Sequence, residues 1–242
     1  MALTQIVLIR HGESLGNVAA AAANAAGLEA IEAGARDPDV ALSPAGLEQA
    51  TALRRGLSLL LSDGVSTAIW SSPYRRAVQT AEVALAAGVA RPAIRIDERL
   101  RDRELGVLDL LTTLGVANRF PLEAARRQWW GKFYHRAPGG ESWADVALRL
   151  RSFLRDLADS PAERAVLFVH DAVVMLVRYI LENLDEHAVL RIRATDPVRN
   201  VSITVLIRDG VDWRLDRYND VSHLVSAGAP VTEHPGEPDV AR

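Results

Sequence analysis

Two short, continuous apolar runs stop abruptly at polar residues: Ile6-Val7-Leu8-Ile9 ends in Arg10-His11, and Ala165-Val166-Leu167-Phe168-Val169 ends in His170. Runs of this length, rich in β-branched residues, read as strands buried on both faces of a parallel sheet. Val65 to Trp70 and Ile94-Arg95-Ile96 add two shorter strands, while Asn200 to Ile207 and Val211 to Tyr218 alternate and are joined by an Asp209-Gly210 turn. Between them lie amphipathic helices. Ser43-Pro44 starts one whose buried stripe is Leu47, Ala50, Leu53, Leu57 and Leu61. Trp143, Val146, Leu150, Phe153, Leu154 and Leu157 mark a second, and Val173 to Leu184 a third. Strands alternating with helices imply an α/β fold, here a three-layer α/β/α sandwich with a mostly parallel sheet and helices on both faces.

Three segments fall outside that alternation. Val18 to Ala35 is alanine-rich with little apolar periodicity, and reads either as a helix or as a loop ended by Asp37-Pro38-Asp39. Val107 to Ala137 reads as a helical insertion, with the Pro138-Gly139-Gly140 turn bounding it at about 140, placed to overhang the strand ends. It carries Phe120, Trp129, Trp130, Phe133 and Tyr134, which either line a substrate lid or pack into the core. The domain is expected to span residues 1–225, with the Pro-, Gly- and acid-rich residues 226–242 forming a disordered tail.

Composition narrows the function more than it reveals it. The chain of 242 residues is 49% hydrophobic and 24% charged, with a formal net charge of −3, which gives no electrostatic case for nucleic acid or membrane as partner. Cysteine is absent, so disulfides and thiolate catalysis are excluded. The first strand starts within a few residues of Met1, leaving no room for a signal peptide, and a cytoplasmic location is expected. Of the 28 basic residues only Lys132 is a lysine, so an arginine carries weight only where its position is specific.

The candidate chemistry sits at the strand ends, where open α/β sheets bind ligands. Arg10 offers a planar fork of donors suited to phosphate oxygens, and His11 a nitrogen able to attack or to carry a proton. Arg10-His11-Gly12-Glu13-Ser14 with Asn17 resembles the signature of the histidine phosphatase superfamily, the phosphoglycerate mutase-like proteins. Leu42 to Gly46 with Gln49-Ala50, Ser72-Pro73-Tyr74-Arg75-Arg76-Ala77-Val78-Gln79-Thr80-Ala81-Glu82, and Pro138-Gly139-Gly140-Glu141-Ser142 are similar to further landmarks of that family, in its order. The resemblance implies His11 as phosphoryl acceptor, Arg10, Arg76 and a protonated His170 around the phosphate oxygens, and Asn17 and Ser14 as additional phosphate-side groups. Arg75 fills a variable position. In Leu100-Arg101-Asp102-Arg103-Glu104, Asp102 stands where the family has its proton donor, with Glu104 two residues on as a competitor able to reach the substrate from the same side. Asp171 departs from the family's glycine and either hydrogen-bonds His170 or caps the following helix. His223 is assigned no chemistry.

The reading that follows is a phosphatase acting on a small-molecule phosphomonoester through phosphohistidine, with no cofactor and no metal. Phosphoglycerate mutase-type transfer and a non-catalytic phospho-ligand binding protein are its alternatives. A homodimer is compatible with it.

Overall fold

A computed structural model describes residues 3–86 and 93–234. Its sheet has six strands in the order β3-β2-β4-β1-β5-β6. These are β1 (Gln5–Arg10), β2 (Thr67–Ser71), β3 (Ile94–Ile96), β4 (Arg164–Val169), β5 (Ile203–Asp209) and β6 (Asp212–Asp220). β3, β2, β4 and β1 are mutually parallel, and β5 and β6 close the edge antiparallel. The sheet is thus mostly parallel, as its buried runs predict. The hairpin pairs Asp209 with Asp212, so its loop is Gly210-Val211. Gly210 supplies the left-handed backbone, with φ of 63°.

Alternation along the central strands sends neighbouring residues to opposite faces. Ile6 and Leu8 of β1 and Ala165, Leu167 and Val169 of β4 face one core, while Val7, Ile9, Val166 and Phe168 face the other. The first core is covered by α6 (Trp143–Ala158), α7 (Asp171–Leu181) and α8 (Glu186–Thr195). The second is covered by α2 (Pro44–Leu61) and α3 (Arg75–Ala84). Every residue of β4 is buried, which is why its sequence is a continuous apolar run after Arg164. Ala50, Leu53 and Leu57 of α2 are buried as expected, but Leu47 is exposed, because the first turn of that helix faces the rim rather than the sheet.

Strand register decides where the site lies. Arg10 pairs with Val169 and Ser71 with Phe168, so three strands end level. The ladder runs one step further on both sides of β4: His11 N–H donates to Val169 C=O at 2.9 Å and Ser72 N–H to Phe168 C=O at 3.0 Å. His11, His170 and Ser72 therefore leave the sheet side by side.

The helices that follow β2 and β4 start without a side-chain cap, unlike the two that flank the His11 loop. Ser14 and Asn17 form a reciprocal capping box at the start of α1 (Leu15–Ala25), which settles the alanine-rich segment as a helix followed by a loop. Ser43 caps α2 through Gly46 N–H at 3.0 Å. The insertion holds α4 (Thr113–Arg119) and α5 (Pro121–Tyr134), the latter broken at Gly131, around a small core of Leu108, Val116 and Ala137. Of its large aromatics only Phe133 is buried; Trp129, Trp130 and Tyr134 face outward, neither in the core nor over the site.

The described chain stays ordered beyond residue 225, where the composition implies a disordered tail. Ser222–Ala227 is helical (α9), and residues 229–234 return across the molecule. There Thr232 C=O accepts from Asn200 N–H at 3.1 Å and Gln49 Nε2 donates to Thr232 Oγ1 at 2.7 Å. This stretch buries Ala229 and is held by hydrogen bonds that include the buried Gln49 side chain. Residues 235–242 lie outside the described residues. Among the described residues no helix is long and apolar enough to cross a membrane.

The loop carrying His11 packs backbone to backbone on α2. A Cβ on Gly12 would sit 2.7 Å from Gly46 O, and one on Gly46 only 2.0 Å from Glu13 O. Gly46→Ala is therefore expected to destabilise the fold by about 1–3 kcal/mol and to shift the His11 loop. A urea midpoint equal to that of the unsubstituted protein would contradict this close approach.

Candidate active site

His11 is almost fully buried, at 3% exposure, and its tautomer follows from one contact. Nδ1 lies 2.7 Å from the Gly12 carbonyl oxygen, an atom that only accepts. Nδ1 therefore carries the hydrogen, and Nε2 keeps its lone pair. Burial pushes the His11 pKa well below the usual histidine range, and Arg76, His170 and Arg10 push it the same way against a smaller opposing effect of the Gly12 carbonyl. The ring is neutral at pH 7, as an attacking imidazole must be.

The landmark residues hold this loop by its backbone. Gly12 N–H donates to Thr80 Oγ1 at 3.0 Å, Glu13 N–H to Gln49 Oε1 at 2.9 Å, and Ser43 N–H to Glu13 C=O at 2.9 Å. Asn200 Nδ2 donates to His11 C=O at 3.0 Å from β5's approach. Glu13 accepts from Ser43 Oγ at 2.7 Å, and its other oxygen lies 3.0 Å from His234 Nε2. Ser14 is committed to capping α1 and does not line the cleft, whereas Asn17 does.

Two buried guanidiniums flank His11. Arg10 donates from Nη1 to Val198 C=O and from Nη2 to His234 C=O at 2.8 Å, leaving Nε buried without a hydrogen-bond partner. Arg76 reaches in from the first turn of α3, whereas Arg75 points to solvent. The Arg76 side chain is 5% exposed and touches both Asp37, at 2.9 Å, and Asp102, at 3.2 Å. Asp37 was not legible as a site residue: Asp37-Pro38-Asp39 reads as a helix breaker, and nothing in its spacing points to Arg76. Burial pushes the Asp37 carboxyl up, against the pull of Arg76.

The candidate proton donors differ in their company. Asp102 Oδ2 lies 3.2 Å from Arg76 Nη2 and 3.3 Å from His170 Nδ1. Glu104 instead accepts from the Tyr74 hydroxyl at 2.6 Å. Both line the cleft. The Asp102 segment is held from behind by Arg149 of α6, which donates to the carbonyls of Arg101 and Asp102 at 3.0 Å each and pairs with Glu141 at 2.9 Å. Glu141 belongs to the Pro-Gly-Gly-Glu-Ser turn, whose role here is to brace that segment.

His170 departs from the expectation of a charged phosphate contact. It is fully buried behind the cleft wall, with its ring 5.1 Å from that of His11. Nε2 lies 2.8 Å from Ser72 Oγ, and Nδ1 has no hydrogen-bond partner. Burial first, then Arg76, Arg149 and Arg10, push its pKa well below the usual value, so it is neutral rather than protonated. Asp171 neither bonds His170 nor raises its pKa: it accepts from Arg193 Nε at 3.1 Å.

These residues open on one cleft of about 650 Å³. Its floor is Arg10, His11, Arg76 and Asp102. Its walls come from α1 (Asn17, Ala20, Ala21), from Arg103 to Thr113, and from Glu233 and His234 of the returning chain, with Lys132 and Arg193 at one side. The insertion does border the cleft, but through its entry loop and Lys132 rather than its tryptophans. Among the described residues no group of three or more His, Asp or Glu side chains is placed to hold a metal ion.

A neutral histidine between two buried arginines at the carboxyl ends of an α/β sheet defines a site for an anionic group. The sequence profile of the histidine phosphatase superfamily (branch 1) matches residues 6–221, and the chain belongs to that family. Phosphoglycerate mutase-like protein AT74 of Arabidopsis thaliana is 32% identical over 63% of this chain, which spans 46% of that relative's length. The metal-independent phosphoserine phosphatase of the same plant is 28% identical over 93% of this chain and 85% of its own. Among solved structures, a mycobacterial glucosyl-3-phosphoglycerate phosphatase in complex with VO3 is 28% identical. It matches with a TM-score of 0.69 over 89% of this chain and 98% of its own.

The depressed histidine pKa values give a signed expectation. Unfolded histidines titrate near ~6.5, whereas His11 and His170 stay neutral in the folded protein well below that. The stability they contribute is complete above pH ~6.5 and is lost as the pH falls toward their folded values, by up to about 1.4 kcal/mol per pH unit for each. Thermal melts between pH 7 and 5.5 are expected to show a falling Tm, with a shallower fall in His11→Asn. A Tm that rises on acidification over this window would mean charged histidines in the site.

Proposed function

We propose that this protein hydrolyses a small-molecule phosphomonoester through a phosphoryl group carried on His11 Nε2. The observation that carries the reading is the His11 contact with the Gly12 carbonyl, which leaves Nε2 the free, neutral nucleophile between two buried guanidiniums. The phosphatase activities of two of the similar proteins, on phosphoserine and on glucosyl-3-phosphoglycerate, fit a cleft sized for a small organic phosphate.

The steps follow from the geometry. Arg10 and Arg76 meet the charge on the equatorial oxygens as the phosphoryl group flattens in transfer. The partnerless Arg10 Nε is a donor ready for one of those oxygens without new desolvation. Nε2 of His11 takes the phosphoryl group, so one difficult displacement becomes two easier ones. Asp102, beside Arg76 at the same floor, gives the departing alkoxide its proton and then takes one from the water that attacks phosphohistidine. Glu104, tied to Tyr74, shapes the wall beside it. Asn17 and the side chains of α1 stand where the leaving group would lie.

Leaving-group chemistry tests both the reaction and the donor. A nitrophenolate needs little protonation as it leaves, whereas an alkyl alkoxide needs a great deal. Asp102→Asn is expected to cut alkyl phosphate turnover by roughly 100-fold or more and nitrophenyl phosphate turnover far less. Glu104→Gln is expected to show a smaller, uniform loss, and folded His11→Ala no turnover of either. The opposite pattern in the two carboxylate variants would move the donor role to Glu104, and persisting activity in His11→Ala would remove the nucleophile.

A further inference from the structure

Counting the hydrogens of Arg76 exposes a conflict. Its two terminal nitrogens carry four, and each already has an acceptor. Nη1 donates to Asp37 C=O at 2.7 Å and to Asp37 Oδ1 at 2.9 Å. Nη2 donates to Asp37 Oδ2 and to Asp102 Oδ2, both at 3.2 Å. Three of these four acceptors belong to one residue, and its carboxylate grips the guanidinium with both oxygens. That is the geometry in which a guanidinium grips two phosphate oxygens.

We propose that Asp37 is an internal competitor for the phosphate site, holding the Arg76 fork until a phosphoryl group enters and then surrendering it. The inference rests on Arg76 being the phosphate clamp of the proposed function.

Asp37, rather than Asp102, is the carboxylate free to leave. The backbone of Asp102 is clamped by Arg149 at 3.0 Å. Asp37 sits in a short 3-10 turn, Asp37–Asp39, and its side chain is 37% exposed, so it can swing to water without stranding a buried charge. The loop leading to it contains Gly34, at φ of 70°, with nothing within 4 Å of its Cβ position, on the Asp37 side of the Ala30–Leu111 bridge. Such a position can absorb a rotation of the segment. An arriving phosphoryl dianion meets like charge at hydrogen-bond range in Asp37, which favours its departure.

The competition has a measurable consequence. If Arg76 is free for only a fraction of the time, the apparent dissociation constant of any phosphate ligand rises by the inverse of that fraction. Asp37 would then weaken product inhibition by inorganic phosphate, and set how strongly an anion must bind to open the site.

Titration calorimetry with inorganic phosphate tests this without relying on turnover. Asp37→Ala and Asp37→Asn are both expected to bind phosphate more tightly, on the order of tenfold for Ala and less for Asn. The gain is expected to vanish when Arg76→Ala is added to either. Asp109→Asn removes another carboxylate from the same cleft, one with no hydrogen bond to Arg76, and is expected to change affinity less than either Asp37 variant. Unchanged or weaker binding in the Asp37 variants would make Asp37 a brace and overturn the proposal, as would an equal gain in Asp109→Asn. If the unsubstituted protein and Arg76→Ala bind phosphate equally, the clamp reading falls and this inference falls with it. Should Asp37→Ala fail to fold, the near-isosteric Asp37→Asn decides alone.

Discussion

Burying two guanidiniums beside an imidazole is the constraint from which the rest of this site follows. Arg10 and Arg76 are both almost fully buried, and a buried charge needs partners. Those partners come from far along the chain: the carbonyls of Val198 and His234 for Arg10, Asp37 and Asp102 for Arg76. The same positive surroundings, with burial, keep His11 neutral. The proposed nucleophile and clamp are therefore not separable features: moving either arginine alters both the charge offered to a phosphoryl group and the proton affinity of the atom that would attack it.

The sheet makes this arrangement inexpensive. Because β1, β4 and β2 are parallel and end level, three short chain segments emerge together with no long loops to order. Backbone hydrogen bonds then fix them: Thr80, Gln49 and Asn200 hold the His11 loop from three different elements. Precision comes from rigid elements and buried polar contacts, while the residues that would meet the leaving group lie on α1, the Arg103–Thr113 loop and the returning chain. Variation in those walls can change what is bound without disturbing the floor.

Much of this was legible in the sequence, for physical reasons that also explain the misses. Continuous apolar runs identify β1 and β4, and a polar residue directly after such a run lies at the carboxyl edge of the sheet, so His11 and His170 were placed by pattern and Arg76 by its motif. Pairings across long separations leave no periodic signal. Asp37 with Arg76, His234 with Glu13, and Arg149 with the Asp102 segment were invisible for that reason. The expectation of a protonated His170 could not include its complete burial, which pushes its pKa down and which a sequence does not report. Composition also pointed to disorder from residue 226, whereas residues 229–234 are held by hydrogen bonds to distant side chains, a pairing that leaves no local signal. The tryptophans of the insertion read as either lid or core residues, yet Trp129 and Trp130 face outward.

The central claim is that His11 Nε2 carries the phosphoryl group. Rapid alkaline quenching with a phosphorus-labelled monoester, followed by peptide mapping and phosphorus NMR of the labelled peptide, tests it most directly. The account predicts label on His11 alone, attached through Nε2, because Nδ1 is held by the Gly12 carbonyl at 2.7 Å. Label on Nδ1, on another residue, or on no residue during active turnover would contradict it.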